Sequence, residues 1–568
     1  MIFNWVYKEI ENDLDLKDFA ERLNTDEYIL KILLNRGIEP EKFEQFLNPD
    51  EKNFYDPFLM IGIKESVERI KKAIEKDEKI LIYGDYDADG ITSTAMLYRF
   101  FKMVGMTPYF FIPHRLEEGY GVSKNGIDYA LSKNVTLMIT VDCGITAFDE
   151  IDYARRKGID VIVTDHHEFS DKTPPAYSII NPNRDDETYP FRSLAGCGVV
   201  FKLLQALGKC LNVDFSILDN FIDFVTLGTI ADVVPLIDEN RTIASIGLKH
   251  LKNVKTYGLR CLIEVSDLQK DLINSYHVGF ILAPRINAMG RMDNATKAVN
   301  LLITDDRKEA EELARELNKK NRLRQEVDQD VFDEAVEMIE KESLHKKQTI
   351  VIAKENWHEG VIGIVASRIV EKYNKPTIMI SIVDDIGKGS GRSTQNFHLY
   401  NALKDLEDIL LSFGGHRLAA GITLKKDRID EFKRRFEEYA SVLNDGKNYE
   451  RKLDIDCILP MDKIDLEFYE KLEKLEPFGY MNPQPVFLSK NVNVVGYPLM
   501  LKDKHLRLCF KQENYSYDAI WFNNGKEMIS KLTQPGKQFD VVYNIMKNEY
   551  SGKILLQLRI IDIMESEL

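Results

Sequence analysis

The sequence predicts a multidomain α/β chain: a parallel-sheet domain, a long helix, a second α/β domain and a C-terminal β-barrel. Three observations carry that prediction. From about residue 65, short apolar runs alternate with stretches of helical length, the pattern of parallel strands joined by right-handed crossovers. A charged, helix-patterned stretch follows from Asp306 to about Lys341. From about residue 450 the pattern changes to short alternating strands separated by turns, which fits a small barrel of five to six strands.

Taken in order, residues 1–64 read as a helical lead-in, with Phe43, Phe46 and Leu47 as packing residues. In the domain spanning 65–305, Lys79-Ile-Leu-Ile-Tyr83 is short and β-prone, with turn residues at Gly84 and Gly90 and an amphipathic stretch from Ile91 to Met103. Strands are expected at Tyr109–Ile112, Thr136–Val141 and Asp160–Thr164, with helices at Ser123–Ser132 and Phe148–Lys157 between them. Asp87, Asp89, Asp142, His166 and His167 then fall just past the carboxyl ends of strands, where open α/β sheets bind ligands. Residues 306–345 read as a connecting helix, on the order of 50 Å long at helical rise, solvated along its length unless Asn321, Arg322 and Arg324 brace the site.

The second α/β domain, 346–445, starts at Thr349-Ile-Val-Ile-Ala353 and carries two glycine-rich segments, Gly389–Ser393 and Phe413–Gly421. Read as loops, these can bring backbone N–H groups, Arg392 and His416 to an anion. A polar stretch, Asn444–Asn448, reads as the linker to the final domain, 446–568. There Lys490, Lys502, Lys504, His505, Arg507 and Lys511 lie among Tyr515, Tyr517, Trp521 and Phe522. The barrel suits single-strand binding, although the aromatics themselves are expected to fill its core.

Four segments share one chemistry: Tyr83-Gly-Asp-Tyr-Asp-Ala-Asp-Gly90, Val141-Asp-Cys-Gly144, Thr164-Asp-His-His167 and Ile230-Ala-Asp-Val-Val234. Each delivers Asp or His at the end of an apolar run. Oxygen and imidazole ligands suit Mg2+ or Mn2+ rather than a thiolate zinc site, and four such segments together suggest a two-metal phosphoesterase centre. Helix capping alone explains a single Asp, but it requires neither an adjacent His pair nor three Asp residues at alternate positions. The net charge of −16 argues against a protein that coats nucleic acid indiscriminately, yet leaves a nuclease open, since phosphate contacts need only a local basic track. Six cysteines without a paired framework point to a reducing cytoplasm. An early-charged N-terminus without an 18-residue apolar run anywhere gives no signal peptide and no membrane partner.

These motifs resemble the DHH phosphoesterase superfamily, named for the string present here as Asp165-His166-His167. Gly84–Ser93, Ala283-Pro-Arg-Ile-Asn-Ala-Met-Gly-Arg291, Gly389-Ser-Gly-Arg-Ser393 and Gly415–Gly421 resemble its RecJ branch of single-strand-specific DNA exonucleases, over about residues 60–565. The resemblance implies a DHH domain, a DHH-associated domain and an OB-type barrel. It implies Mn2+ or Mg2+, two ions, held by Asp87, Asp89, Asp142, His166 and Asp232, with Asp142 as the bridge. His167 would be a ligand or a phosphate contact, and Asp85 a further candidate ligand. Arg285, Asn287, Arg291, Arg392, Ser393 and His416 would surround substrate phosphates. The implied activity is stepwise 5′-to-3′ degradation of single-stranded DNA in recombination and repair, by a monomer supplied by a helicase and a single-strand-binding protein. One position departs from related soluble pyrophosphatases, which place a His ligand where this chain has Tyr83. The alternative reading is a phosphodiesterase of short oligoribonucleotides or cyclic dinucleotides, whose relatives share the two α/β domains and usually lack a barrel.

Overall fold

The computed structural model describes residues 3–7, 15–115, 118–119, 121–170, 172–213, 221–443, 451–502, 504–523, 528–550 and 553–566. The first 64 residues are not a purely helical lead-in. Strand β1 (Asn4–Tyr7) precedes helices α1 (Leu16–Arg22), α2 (Glu27–Asn35) and α3 (Phe43–Leu47). Asp15 and Asp26 cap α1 and α2 through their carboxylates. Helices this short do not persist without packing partners, and theirs lie at the other end of the chain, as described below.

After α4 (Ile63–Glu75), the first domain builds a sheet from β2 (Ile80–Gly84), β3 (Tyr109–Phe111), β4 (Leu137–Val141), β5 (Asp160–Thr164) and β6 (Ser178–Ile180). The order is β3-β2-β4-β5-β6, parallel throughout. Its crossovers include α5 (Ala88–Met103), α6 (Lys124–Ser132) and α7 (Phe148–Arg156). Every residue of β2 and β4 is buried, as expected of a sheet covered on both faces. Helix α5 starts three residues before the expected Ile91, because the Asp87 carboxylate accepts the N–H groups of Asp89 and Gly90. It is buried almost all round, with α8 (Gly196–Leu211) and α9 (Ile222–Ala231) against it. Helices α10 (Asp238–Leu251) and α11 (Tyr257–Glu264) complete this helical layer.

The long helix runs from Arg307 to Lys341 as expected, but it is not a solvated linker. Ala310, Ala314, Leu317, Asn321, Val331, Ala335 and Ile339 are buried along one face. Its first half is tied to the first domain through Arg285–Asn318 (3.1 Å) and Asp293–Lys320 (2.7 Å). Its second half is tied to the second domain through Arg368–Asp328 (3.2 Å), Trp357–Glu334 (2.9 Å) and Tyr373–Glu340 (2.7 Å). One rigid rod therefore spaces the two domains.

The second domain is a mixed sheet of β7 (Ile350–Glu355), β8 (Thr377–Val383), β9 (Ile386–Arg392), β10 (Ser412–Gly415) and β11 (Ala419–Lys425), in the order β10-β11-β9-β8-β7. Only β7 and β8 are parallel. The glycine-rich segments, expected as loops, are largely strands: Gly389 to Arg392 lie in register with Ile422 to Ala419. Close packing explains the glycines. A Cβ on Gly389 would lie 2.6 Å from Ile422, and one on Gly391 would lie 2.9 Å from Leu399.

In the C-terminal domain, β12 (Lys452–Ile455) pairs in parallel with β1, so the two ends of the chain share a small sheet. The other strands are β13 (Cys457–Ile458), β14 (Phe487–Val494), β15 (Leu499–Leu501), β16 (His505–Gln512), β17 (Tyr515–Trp521), β18 (Phe539–Tyr550) and β19 (Lys553–Glu565). β14 runs unbroken from Phe487 to Val494, with a register shift between Ser489 and Val492. The ring β14-β18-β19-β17-β16 closes through pairing of β16 back to β14 at Asn493–Lys511 and Val494–Phe510. Trp521 is buried and Tyr517 half-buried, whereas Tyr515 and Phe522 stay exposed. Ile29, Leu30, Leu33, Phe43 and Phe46 join the barrel core beside Phe487, Leu508, Trp521 and Tyr543. Residues 16–47 and the barrel, read as separate ranges, thus share one packing unit, whereas Phe54, Met60 and Ile63 pack in the first domain. The expected linker Asn444–Asn448 lies outside the described residues.

This shared core gives a first prediction. Leu33→Ala should cost about 2–5 kcal/mol and lower the melting transition sensed inside the barrel, read from the 19F signal of fluorotryptophan at Trp521. An N-terminal segment folding independently of the barrel would leave that transition unmoved.

Candidate metal centre

The carboxyl ends of β2, β4 and β5 and the end of α9 converge on one point. After β2 the chain turns through Asp85, Tyr86 and Asp87 into α5. The turn tolerates no side chain at Gly90, where a Cβ would lie 2.6 Å from the Asp85 carbonyl oxygen. Asn287 steadies this turn, its Oδ1 accepting the Ala88 N–H at 2.7 Å. Asp89, in the first turn of α5, is buried, and its carboxylate accepts the N–H groups of Gly196 (2.7 Å) and Cys197 (2.8 Å) at the start of α8. A helix N-terminus is a natural seat for a carboxylate.

Beyond β4, Asp142 adopts a left-handed backbone (φ 59°), which Asp tolerates better than most residues. The conformation is held by the Asp142 N–H to the Thr164 carbonyl (2.9 Å) and by Thr140 Oγ1 to the Cys143 carbonyl (2.8 Å). Beyond β5, Asp165 faces away from the convergence point and organises both histidines. Its Oδ1 accepts the His166 N–H (2.7 Å), the His167 N–H (3.1 Å) and His167 Nδ1 (2.7 Å), while its Oδ2 accepts the Ile145 N–H (2.9 Å). Asp232 arrives from the C-terminus of α9.

His166 Nε2 is the hub. It lies 3.2 Å from Asp142 Oδ1, 3.6 Å from Asp232 Oδ2 and 3.9 Å from Asp89 Oδ2, is buried, and makes no hydrogen bond. Three groups of potential ligand atoms lie within 4.8 Å of one another: Asp142 with His166 and His167, Asp89 with His166 and Asp232, and Asp85 with Asp87 and Asp142. Asp142 is shared by the first and third groups, and His166 by the first and second. Asp85 Oδ1 is likewise buried without a hydrogen bond. Orphaned buried polar atoms facing a cage of oxygen and imidazole donors are what a hard divalent cation satisfies, so the residues fit Mn2+ or Mg2+.

Burial, reinforced by neighbouring carboxylates, raises Asp85, Asp142 and Asp232 well above the usual carboxylate range, and burial raises Asp89 as well. Burial pushes His166 down, towards the neutral form that can ligate. His167 behaves oppositely: burial opposes its protonation, but the Asp165 carboxylate prevails and pushes it up to about 9. His167 is therefore cationic at neutral pH in the metal-free protein, which suits a phosphate contact. Tyr83 is no ligand. Its hydroxyl donates to the Gly121 carbonyl (3.1 Å) and accepts the Ser123 N–H (3.0 Å), so it fixes the loop after β3.

The six residues expected around substrate phosphates divide. Arg291 donates to the Gly360 carbonyl across the domain boundary (3.0 Å), and Arg392 donates to the Gly391 carbonyl (2.8 Å). Burial lowers both guanidiniums, Arg291 to about 10, and mutual repulsion with Arg115 lowers them further. His416 joins this zone: burial lowers it first, then Arg392, and it senses His167 across the gap. Arg285 points to Asn318 on the long helix, Asn287 holds the acidic turn, and Ser393 Oγ closes its own loop on the Phe397 carbonyl (2.9 Å). Asn321 is buried and bonds Arg324 (2.6 Å), while Arg322 is exposed.

Sequence reasoning missed Arg115, which stacks over Tyr86 at 5.3 Å and lines a cavity of about 330 Å3 with Lys388 and Ser390. Its signal was its place after β3, at the same sheet edge as the aspartates. It also missed a cleft of about 810 Å3 between the first domain and the barrel, which begins beside Asp232 at Val233. Tyr276 and Phe280 stack on each other (5.0 Å) on one wall, largely exposed, with Tyr480, Lys547 and Arg559 across from them.

Two outcomes follow, the first for the metal-free protein. Asp142 carries a folded-state pKa above its unfolded value of about 3.9, so the native state binds more protons and loses stability as pH rises through that window. Asp142→Asn should therefore melt higher than wild type in chelator at pH 7.5, with the difference closing as pH falls towards 4; a lower melting temperature at pH 7.5 would contradict this. Asp165→Asn should weaken Mn2+ binding in calorimetry by about 10–100-fold, because both histidines lose their anchor.

Comparison with known proteins agrees with this geometry. Family models match at residues 79–229 (DHH family, N-terminal domain), 346–442 (DHHA1 domain) and 455–562 (RecJ OB domain). The single-stranded-DNA-specific exonuclease RecJ of Bacillus subtilis is 38% identical over 99% of this chain and 71% of its own length. Its namesake in Dickeya dadantii is 34% identical over 93% of this chain and 94% of its own length. The crystal structure of Thermus thermophilus RecJ in complex with Mn2+ superposes with a TM-score of 0.85 at 28% identity, covering 99% of this chain and 80% of that one. The Mg2+ complex gives 0.79 at 27% identity over 99% and 79%. By its three domains, their order and its full-length identity to these exonucleases, this chain belongs to the RecJ family.

Proposed function

We propose that this chain is a single-stranded-DNA-specific exonuclease that hydrolyses phosphodiester bonds stepwise from the 5′ end and acts in recombination and repair. The observation that carries the reading is the placement of the carboxylate–histidine cage. On one side Asp232 is followed by Val233, which lines the aromatic cleft; on the other, His167 is near enough to His416 of the second domain for the two to act on each other electrostatically, with Arg392 beside His416.

Asp87, Asp89, Asp142, His166 and Asp232 would hold the metal, with Asp85 and His167 beside them and Asp142 shared between two ions. When bound, Mn2+ or Mg2+ supplies Lewis-acid polarisation of a phosphoryl oxygen and lowers the pKa of a water. The chain's own groups do the rest. Helix α8 keeps the Asp89 carboxylate in place, and Asp165 aims both histidines. Arg392 and Arg291 would offer positive charge, and His416 and His167 hydrogen-bond donors, where phosphate charge grows during hydrolysis; pre-set donors stabilise that charge without reorganisation. Tyr276, Phe280 and Tyr480 offer ring faces to unpaired bases, while Lys547 and Arg559 meet phosphates. A duplex conceals those base faces, which is the basis for single-strand preference.

The 5′-to-3′ direction rests on motif kinship with the RecJ branch. A helicase and a single-strand-binding protein would deliver the strand to this enzyme, which would act as a monomer in the cytoplasm. No helix among the described residues is long and apolar enough to cross a membrane.

Three experiments test the reading. On 5′-phosphorylated single strands with Mn2+, a 5′ label should be released first as mononucleotide while a 3′ label persists; the reverse order would contradict the polarity. Arg392→Ala and His416→Ala should each lower kcat by about 10²–10³. Phe280→Ala should weaken binding of a long strand by about 1–3 kcal/mol and spare a dinucleotide. A phosphodiesterase of short oligoribonucleotides or cyclic dinucleotides predicts no such dependence on length.

A further inference from the structure

Away from the metal centre, Arg241 on α10 is a cation only 2% exposed. Glu476 and Arg36 act on its charge from a distance, but its direct partners are not carboxylates. Its guanidinium instead donates to four main-chain carbonyls: Phe46 from Nε (2.8 Å), Leu475 from Nη1 (3.0 Å), and Lys474 and Glu476 from Nη2 (2.9 Å each). It also lies 3.8 Å from the centroid of the Phe46 ring. Residues 474–476 follow the helix Leu466–Glu473, at the negative end of its dipole. The cation is thus held by carbonyls just past a helix of the barrel domain and by the N-terminal segment packed on that barrel.

The same strap, residues 474–482, is fixed at further points. The Leu236 N–H donates to the Tyr480 carbonyl (2.9 Å), and Ser275 Oγ donates to the Phe478 carbonyl (2.6 Å). Asn482 Nδ2 donates to the Leu475 and Pro477 carbonyls (2.9 Å each). Gly479 sits so close to Leu236 that a Cβ would lie 2.6 Å from its Cδ1. Glu476, Phe478, Gly479 and Tyr480 form the cleft wall opposite Tyr276 and Phe280, and that cleft starts beside Asp232. An apolar residue could fill the Arg241 site at similar or greater stability. A guanidinium fork does something different: it fixes the direction of several carbonyls at once.

We propose that Arg241 is a positioning residue that sets the barrel-side wall of the cleft against the catalytic domain, and with it the gap that guides the strand to the metal centre. This deepens the strand-binding reading above and rests on it.

The test uses full-length Arg241→Met and Arg241→Lys, with Gly479→Ala disturbing the same strap from its other side. Hydrogen exchange of residues 474–482 in Arg241→Met should be at least about tenfold faster, with strands β2, β4 and β5 unchanged, as for a local opening. KM for a long single strand should rise on the order of ten- to a hundredfold while kcat on a dinucleotide stays within about twofold, the signature of misplacement rather than lost chemistry. Arg241→Lys should fall between, and Gly479→Ala should show the same split. Unchanged exchange in the strap, or equal losses on long and short substrates in Arg241→Lys and Gly479→Ala, would overturn the proposal. Wild-type enzyme that showed no preference for long strands would instead refute the strand-binding reading, so the two failures are distinguishable.

Discussion

Asp85, Asp89, Asp142 and Asp232 are held against one another, largely out of water, and much of the molecule is arranged to make that possible. Isolated burial of so many carboxylates is costly, and the chain offsets it with backbone donors and the neighbouring His167 rather than with arginine or lysine ion pairs. The N-terminus of α8 holds Asp89, and Asp87 caps α5 through its own carboxylate. Cations close to the acids would form ion pairs and fill the cage. The arginines stand off instead, Arg392 on the second domain, Arg291 at its boundary and Arg115 in the loop after β3, where burial and mutual repulsion disfavour their charge. Acid on one side and crowded cations on the other is an arrangement completed by a divalent ion and a phosphate.

Holding those halves apart at a fixed distance falls to the elements between them. The Arg307–Lys341 helix is bonded to the first domain over its first half and to the second over its latter half, which makes it a spacer. Arg291 reaches across to the Gly360 carbonyl, and a Cβ on Gly360 would approach the Arg291 carbonyl to 2.5 Å, so the domains touch closely where they touch. On the opposite side the N-terminal segment starts on the sheet of β12, fills the barrel core with α2 and α3, and ends on the catalytic domain, where Lys202 donates to the Tyr55 carbonyl and to Glu239 (2.8 Å each). The barrel is therefore strapped to the metal centre by the chain's own beginning, with Arg241 between them.

Much of the site was legible in the sequence because its ligands are local strings at strand ends: three alternate aspartates after one apolar run, one aspartate after the next, a His pair after the third. Periodicity alone located β2, β4 and β5. What escaped was whatever depends on distant packing. Asn287 looks like a substrate contact by its motif, but its acceptor oxygen is spent on the Ala88 N–H, 199 residues away. Gly389 and Gly391 look like loop glycines, whereas the space they vacate belongs to Ile422 and Leu399 across the sheet. The segment 1–64 looks like a lead-in because its apolar residues carry no sign of their partner, which lies more than 400 residues away in the barrel. Arg115 and the Tyr276–Phe280 pair sit in short stretches whose role appears only when the loop after β3 and the cleft are seen beside the acids.

The central claim, that the converging acids and His166 form a divalent-metal centre, is tested most directly by anomalous diffraction at the manganese edge from crystals grown with Mn2+. The account predicts anomalous density among Asp85, Asp87, Asp89, Asp142, His166 and Asp232, with Asp142 touching more than one peak. Density confined to other surface carboxylates, with this cage empty at saturating Mn2+, would contradict it.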